Sequence, residues 1–507
     1  MKLMKSPALF LIFLPYMLFA QEKYFRNPSI VIDPLFGQIR DSIENKINHR
    51  VIPSFSVAVS KKGKIIWRQS FGWANKEKKI RATPFTSYSL ASLSKSVTST
   101  ALMILIDQGL VYFDDHVEKY LPDCKLTCYR CDDSKVTLSH LTNMMAGIPH
   151  QFEYIYQDEK TKPLSIQEQI RRYAIIVFPP GTVFNYSNLS PGIIEAVIKN
   201  VCSENFSHFM KHRVFIPLGM NHSAVYRSEI KNSNIAKGYD EKGNALPESE
   251  FYPKGGAGYF ASASDLLNYG MFHLKDKKSL INAILSDAAI DRLHSSGELP
   301  GYNKFYSNGW GVLKTGGQCN SLLSNGAIAG AASSLLILPE QDIAIVCLTN
   351  ATVGNDFTDQ IAFSIADKLV PGYFDSLGKF MEKNSDSISD IPFQMEDAII
   401  GTWYGSIKTY KDTIPLEMVF ERGNRIIVHI KGQFETLLNN VSLNNGLIHG
   451  QSFGVLSLPE TEGIPHYLEW TLMHGKNELF GNVSAQSSFS KRPYFLLPAY
   501  LQLSKKP

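Results

Sequence analysis

In the run ASLSKSVTS, Ser92 and Lys95 set a hydroxyl and an amine three residues apart. On a helix such a pair shares one face. A lysine withdrawn from water has a lowered pKa and can take a serine's proton, leaving an oxygen able to attack a carbonyl. Ser-x-x-Lys also begins at Ser228, Ser376 and Ser488. Only the Ser92 copy opens a long apolar stretch, with Ala101, Leu102, Ile104, Leu105 and Ile106, that reads as a helix ending near Gly109. There Lys95 would be buried, and the helix N-terminus would favour negative charge at Ser92. The bland alternative is an N-cap serine with its lysine in solvent. The core-like residues that follow argue against it.

Tyr-x-Asn is duplicated as well. Tyr186-Ser187-Asn188 follows FPPGTVFN, and Pro179, Pro180 and Gly181 can hold a loop that aims a tyrosine into a cleft. Tyr306-Ser307-Asn308 sits at a strand edge, where packing is the expected role. A Gly-x-Ser-x-Gly occurs at Gly450–Gly454, but no helix pattern follows Ser452, as a nucleophile elbow requires. That copy is expected in a loop or strand.

These groups need a scaffold. SFSVAVSKKGKIIWRQSFGWAN reads as two strands about a Lys-Gly turn. Late in the chain YSNGWGVLKTGG, CNSLLSNGAIAG, ASSLLILPE and DIAIVCLTN read as consecutive antiparallel strands, followed by a helix near DFTDQIAFSIADKLV. Early strands, a helical middle and late strands imply one sheet built from both ends of the domain. FMEKNSDSISDIPFQM is polar and reads as a linker. Beyond it, short β-rich runs and a Gly423-Asn424 turn suggest a small separate β-barrel or sandwich. The expected division is a signal peptide over 1–20, a main domain over 21–378, a linker over 379–395 and an all-β domain over 396–507.

The chain has 507 residues, 44% hydrophobic and 19% charged, which excludes a disordered polymer. Its formal net charge of +4 comes with no long basic run, so nothing points to nucleic acid. Lys2 and Lys5 precede an apolar run from Ala8 to Phe19, with Ala20 as a small residue for cleavage, the pattern of a secretory signal. The run is shorter than the ~20 residues a spanning helix needs, and Pro15 interrupts it. Export to a periplasmic or extracellular space is expected. Three of six cysteines crowd into CKLTCYRC (Cys124, Cys128, Cys131), where a local disulfide suits an oxidising compartment. A zinc site lacks an evident fourth ligand. Cys347, in IAIVCLTN, reads as an inert core residue. No metal or cofactor motif is present, and oligomeric state is not encoded in any pattern.

Together ASLSKSVTS, FPPGTVFNYSN, FIPLGM and GAIAGAASSLLILPEQDIAIVCLTN resemble the serine β-lactamase and penicillin-binding-protein superfamily, most of all its class C β-lactamases, D-amino-acid-peptide hydrolases and related esterases. The likeness runs from about residue 30 to 370, motifs in order. It implies an α/β (α+β) fold, an antiparallel sheet flanked by helices. The C-terminal portion is similar to the lipocalin-like β domains that some members append. By position, Ser92 would be the acylated nucleophile and Lys95 would help deprotonate it. Tyr186 would serve as general base and acid, and Asn188 would orient Lys95 and the substrate amide. One oxyanion donor would be the Ser92 N–H.

The family's third motif is Lys-Thr-Gly or His-x-Gly. Counting back from Pro339-Glu340 along the family pattern places it at Ser324-Asn325-Gly326, with the second oxyanion donor at the backbone of Ala327. The literal Lys314-Thr315-Gly316 then falls on the preceding strand or its turn. Ser324 lacks the cation that helps bind a substrate carboxylate, but leaves ester chemistry open. Asn143 to Gly147, NMMAG, stands where the family has Thr-His-Thr-Ser-Gly. The expected activity is that of an exported serine hydrolase acting on an amide or ester, a small molecule or a peptide, through an acyl-enzyme. The alternative is a weak or inactive member that binds peptidoglycan-like peptides or a partner, with an association to the cell envelope.

Overall fold

The computed structural model describes residues 30–31, 34–130, 135–159, 162–230, 234–275, 283–295, 305–314, 320–383, 391–444, 446–488 and 494–505. The signal peptide expected over 1–20 lies outside them.

The main sheet is antiparallel. From its outer edge it runs Ile30–Val31, Lys64–Asn75, Ser54–Lys61, Ile343–Thr349, Ala331–Leu338, Ser321–Ile328, Trp310–Leu313, Tyr306–Ser307. Ser54–Lys61 and Ile343–Thr349 are neighbours, so the two ends of the domain meet at mid-sheet, as the strand patterns imply. Side chains alternate between the faces with a period of two. Leu336, Leu338, Ile343 and Ile345 pack with the helices Gly37–Asn48, Asn355–Leu369 and Tyr373–Lys383. Leu335, Ile337, Ala344 and Val346 pack with Leu102, Leu266 and Tyr269 on the opposite face.

The helix Ser94–Asp107 is buried at every position from Ser94 to Leu105. It is the central helix that its apolar composition predicts. Truncating Leu102 there would cost about 2–5 kcal/mol by leaving a cavity in a packed core. Among the described residues no helix is long and apolar enough to cross a membrane.

The C-terminal strands form a second sheet that curls into a nearly closed barrel around Trp403, Leu468, Trp470 and Leu501. Its seam was not legible in the sequence. Phe152–Tyr156, from the helical middle of the chain, pairs with Tyr494–Leu496 on one side and with Ser249–Tyr252 on the other. The first domain thus lends two strands to the second sheet. The stretch expected as linker also differs: the helix Tyr373–Lys383 runs into it, and Ile391–Pro392 pairs with Leu443 and Ser442. Arg172 and Glu460 form an ion pair across the seam, with the Tyr410 hydroxyl donating to Glu460.

Cys128 is disulfide-bonded, Cys124 is free, and Cys131 falls outside the described residues. Cys347 is free and fully buried in the sheet. Among the described residues no three His, Cys, Asp or Glu side chains gather as a metal site.

Candidate active site

Ser92 does not lie in the long helix itself. It occupies a single 3-10 turn, Ala91–Leu93, that feeds directly into the helix Ser94–Asp107. Ala91 has a φ of 47°, a left-handed conformation that costs energy in a non-glycine residue. The turn is held in place: Leu90 N–H donates to Tyr259 O at 2.8 Å, and Tyr259 N–H donates to Ser94 Oγ at 3.1 Å.

Lys95 is only 2% exposed. Its Nζ lies 3.0 Å from Ser92 Oγ, 2.5 Å from Asn188 Oδ1 and 2.8 Å from Gly256 O. No carboxylate is among these partners. Burial therefore holds the amine well below the usual lysine pKa. A neutral amine has two N–H groups and one lone pair. In that form Asn188 and Gly256 would accept the two N–H groups and the lone pair would be left for the Ser92 hydroxyl.

Tyr186 donates to Ser92 Oγ at 2.9 Å. Burial pushes its hydroxyl up to about 12, so it is a phenol at neutral pH. Lys95 Nζ sits 4.6 Å from the centre of the Tyr186 ring, where the ring face would welcome an ammonium. His150 packs beside that ring at 5.3 Å, and its Nδ1 accepts from Asn188 N–H at 3.3 Å. Burial and Lys95 push His150 down to about 3, so it is neutral and a positioning group.

The strand Ser321–Ile328 closes the other side. A β-carbon on Gly326 would lie 2.4 Å from Ser92 N and 2.7 Å from Leu90 O, so only glycine lets the strand come this close. Ser324 turns away beneath the site and donates to Ser96 Oγ at 2.9 Å. Its hydroxyl, expected to face substrate, is taken by the central helix: Ser324 shares the strand face of Gly326, which abuts Ser92, and meets Ser96 on the same helix-side face. Asn325, on the opposite strand face to Ser324, lines the cavity and donates from its amide to Asp359 Oδ2 at 2.6 Å. Ala327 lines the cavity beside Gly326.

That cavity, about 450 Å³, opens over Ser92, Lys95 and Tyr186. It also takes in Tyr306, which the sequence assigns to packing; the strand Tyr306–Ser307 runs along its rim. Lys314 lies just past the end of the strand Trp310–Leu313, is exposed and does not line the cavity, while Thr315 and Gly316 fall outside the described residues. Ser452 is buried in a strand and accepts from Trp470 Nε1 at 2.9 Å, which excludes an elbow there. Ser376 donates back to Gly372 O, and Lys379 is exposed.

Residues 39–369 match the family described as Beta-lactamase, about two thirds of the chain, over the segment that holds this constellation. The chain belongs to the Beta-lactamase family. Among curated relatives, this Beta-lactamase family chain is 27% identical over 323 residues to Protein flp of Staphylococcus aureus (strain COL). The match covers 62% of each, so the chain spans less than two thirds of that relative's length. The fold is similar to that of the octameric penicillin-binding protein homologue from Pyrococcus abyssi, at TM-score 0.54 and 20% identity, covering 93% of this chain and all of that one. It is also similar to a class C beta-lactamase, at TM-score 0.53 and 19% identity, covering 66% and 96%.

Motif reading missed the groups that reach the site through backbone. Gly256 supplies the carbonyl that holds Lys95, and a β-carbon there would lie 2.7 Å from Asn188 O. The signal was the Gly255-Gly256 pair in PKGGAGYF. Beneath it, Gly255 N–H donates to Glu195 Oε2 at 3.1 Å, and burial pushes Glu195 up and Lys254 down, both to about 7.

Proposed function

We propose that the protein is a serine hydrolase that cleaves an ester or amide through an acyl-enzyme on Ser92. The observation that carries this reading is the placement of Lys95: its buried Nζ lies 3.0 Å from Ser92 Oγ and is held by Asn188 Oδ1 and Gly256 O, with no carboxylate among these partners. Lys95 takes the Ser92 proton as Oγ bonds to the carbonyl carbon. The backbone N–H groups of Ser92 and Ala327 stabilise the oxyanion. On collapse, the Tyr186 phenol protonates the leaving group, and the Lys95 ammonium restores the Tyr186 proton. Water then attacks the ester by the same route in reverse, returning Ser92. Asn188 orients Lys95 throughout.

Among the described residues lining the cavity, Lys95 is the only basic side chain, and it is assigned as the unprotonated base. A carboxylate-terminated peptide would have no cation to meet it. We therefore favour uncharged esters over β-lactams or D-Ala-terminated peptides. Export rests on the N-terminal pattern, and membrane fractionation with N-terminal sequencing tests it.

The decisive experiment exposes the folded protein to a fluorophosphonate and, separately, to a penicillin probe, and locates the adduct by mass spectrometry. The expected result is a fluorophosphonate adduct on Ser92 that vanishes in Ser92→Ala. Folded protein left unlabelled by both probes overturns the proposal.

A further inference from the structure

We infer that Glu195 is a positioning residue for Lys95: its carboxylate holds the Gly255 N–H, so that the next carbonyl along, that of Gly256, stays aimed at the Lys95 amine. The inference rests on the hydrolase reading above. The Gly256 carbonyl belongs to a single short turn of helix, Lys254–Ala257, whose N-cap is Pro253 and carries no side-chain cap. Its first backbone donors must find partners elsewhere. Two adjacent glycines would otherwise leave the turn free to swing.

Two helices pin it. Asn188, at the N-cap of the helix Leu189–Cys202, recurs at helical spacing with Pro191 and Glu195, and the three present one face to the turn. A β-carbon on Gly255 would lie 2.5 Å from Pro191 O, and Glu195 Oε2 accepts from Gly255 N–H at 3.1 Å. From the central helix, Thr98 follows Lys95 by one turn and donates to Gly255 O at 2.8 Å. The peptide groups on both sides of Gly255 are thereby fixed, and the following carbonyl meets Lys95 Nζ at 2.8 Å. Glu195 itself is buried between Ile194 and Ala196. A carboxyl in such a place is costly unless its oxygens are hydrogen-bonded. Lys254, Lys199, Tyr226, Tyr252 and Tyr259 act on it or respond to it through charge, while Tyr186 and His150 stand close to Lys95.

The test is the rate at which a fluorophosphonate labels Ser92 in the full chain, followed by intact mass across pH. A penicillin probe takes its place if only that one labels. The rate reads how readily Lys95 takes the Ser92 proton, whatever the natural substrate. Glu195→Met fills the same space without an acceptor, a kind of exchange that buried charged sites tolerate. Glu195→Gln keeps an acceptor. Glu195→Met should label about tenfold more slowly, the effect of a misplaced catalytic group. The midpoint of its rise with pH should fall by about half a unit or more, since an ammonium that loses an acceptor is the form destabilised. Glu195→Gln should stay within about threefold, its midpoint unmoved. Thr98→Val removes the second pin from the other helix and should repeat the Glu195→Met pattern, which decides the matter even if Glu195→Met does not fold. Wild-type rate and midpoint in either Glu195→Met or Thr98→Val overturn the assignment, and so does a Glu195→Gln that fails to rescue. Labelled wild type with unchanged variants sinks only the role of Glu195. Folded wild type left unlabelled by both probes sinks the hydrolase reading, and this inference with it.

Discussion

Gly326 and Ser92 meet backbone to backbone, so closely that a β-carbon on Gly326 would lie 2.4 Å from the Ser92 nitrogen. The approach sets where Ala327 lies relative to the nucleophile. In Gly326→Ala the obstruction is backbone on both sides, so the strand or the turn must retreat. The expected outcome is a loss in kcat of at least about a hundredfold, the scale of removing one oxyanion donor. Far-ultraviolet circular dichroism should stay unchanged. Near wild-type turnover would show that the second donor lies elsewhere.

Lys95 is proposed to act as an unprotonated amine, and burial keeps its pKa well below the ordinary value. Activity should therefore rise with pH through that lowered pKa. It should then stay level until Tyr186, pushed up to about 12, loses its proton. Lys95→Arg puts a permanently protonated guanidinium in its place, which cannot take the Ser92 proton, so the acylation burst should disappear. A Lys95→Arg variant with a tenth of wild-type burst rate would assign the base to another group.

Lys314 is exposed beyond the end of its strand and does not line the cavity. Lys314→Ala should leave kcat and KM within about twofold, as expected of surface substitutions away from a site. A large loss in steady-state assays would mean that the Lys-Thr-Gly sequence does contribute to catalysis.

Glu153 sits in the strand Phe152–Tyr156, which pairs with Tyr494–Leu496 in the C-terminal sheet, and faces Glu460 and Arg172. Burial, with Glu460 next, pushes its carboxyl up to about 7 from 4.5. The fold thus favours the protonated form. That contribution is complete below pH 4.5 and is lost as pH rises through 7. The span corresponds to about 3 kcal/mol at most. Glu153→Gln should flatten the decline in unfolding temperature between pH 4.5 and 7 and stabilise the protein at pH 8. Parallel curves for variant and wild type would remove Glu153 from the seam's energetics.

Much of the site was legible because its motifs are local. Ser92 and Lys95 are one helical turn apart, and Tyr186 and Asn188 share one loop held by Pro179, Pro180 and Gly181. Ser324-Asn325-Gly326 was found by counting along a strand, since strand register carries over residue by residue. What side chains do at those positions was less legible. Ser324 was read as a substrate-strand residue from its place in the pattern, and Tyr306 as packing from its place at a strand edge. The structure turns the first toward Ser96 and opens the second onto the cavity. The pairing of Phe152–Tyr156 with Tyr494–Leu496 joins segments more than three hundred residues apart, and backbone pairing leaves little trace in residue type.

The sequence by itself determined the Ser92–Lys95 pairing, the run of late antiparallel strands and the buried central helix, because spacing and hydropathy act over a few residues. Only the tertiary structure decided that Lys95 stays without a carboxylate, held by a carbonyl 161 positions away, and that Tyr306 shares its cavity. Those facts depend on desolvation and on which surfaces meet, and both are properties of the packed molecule.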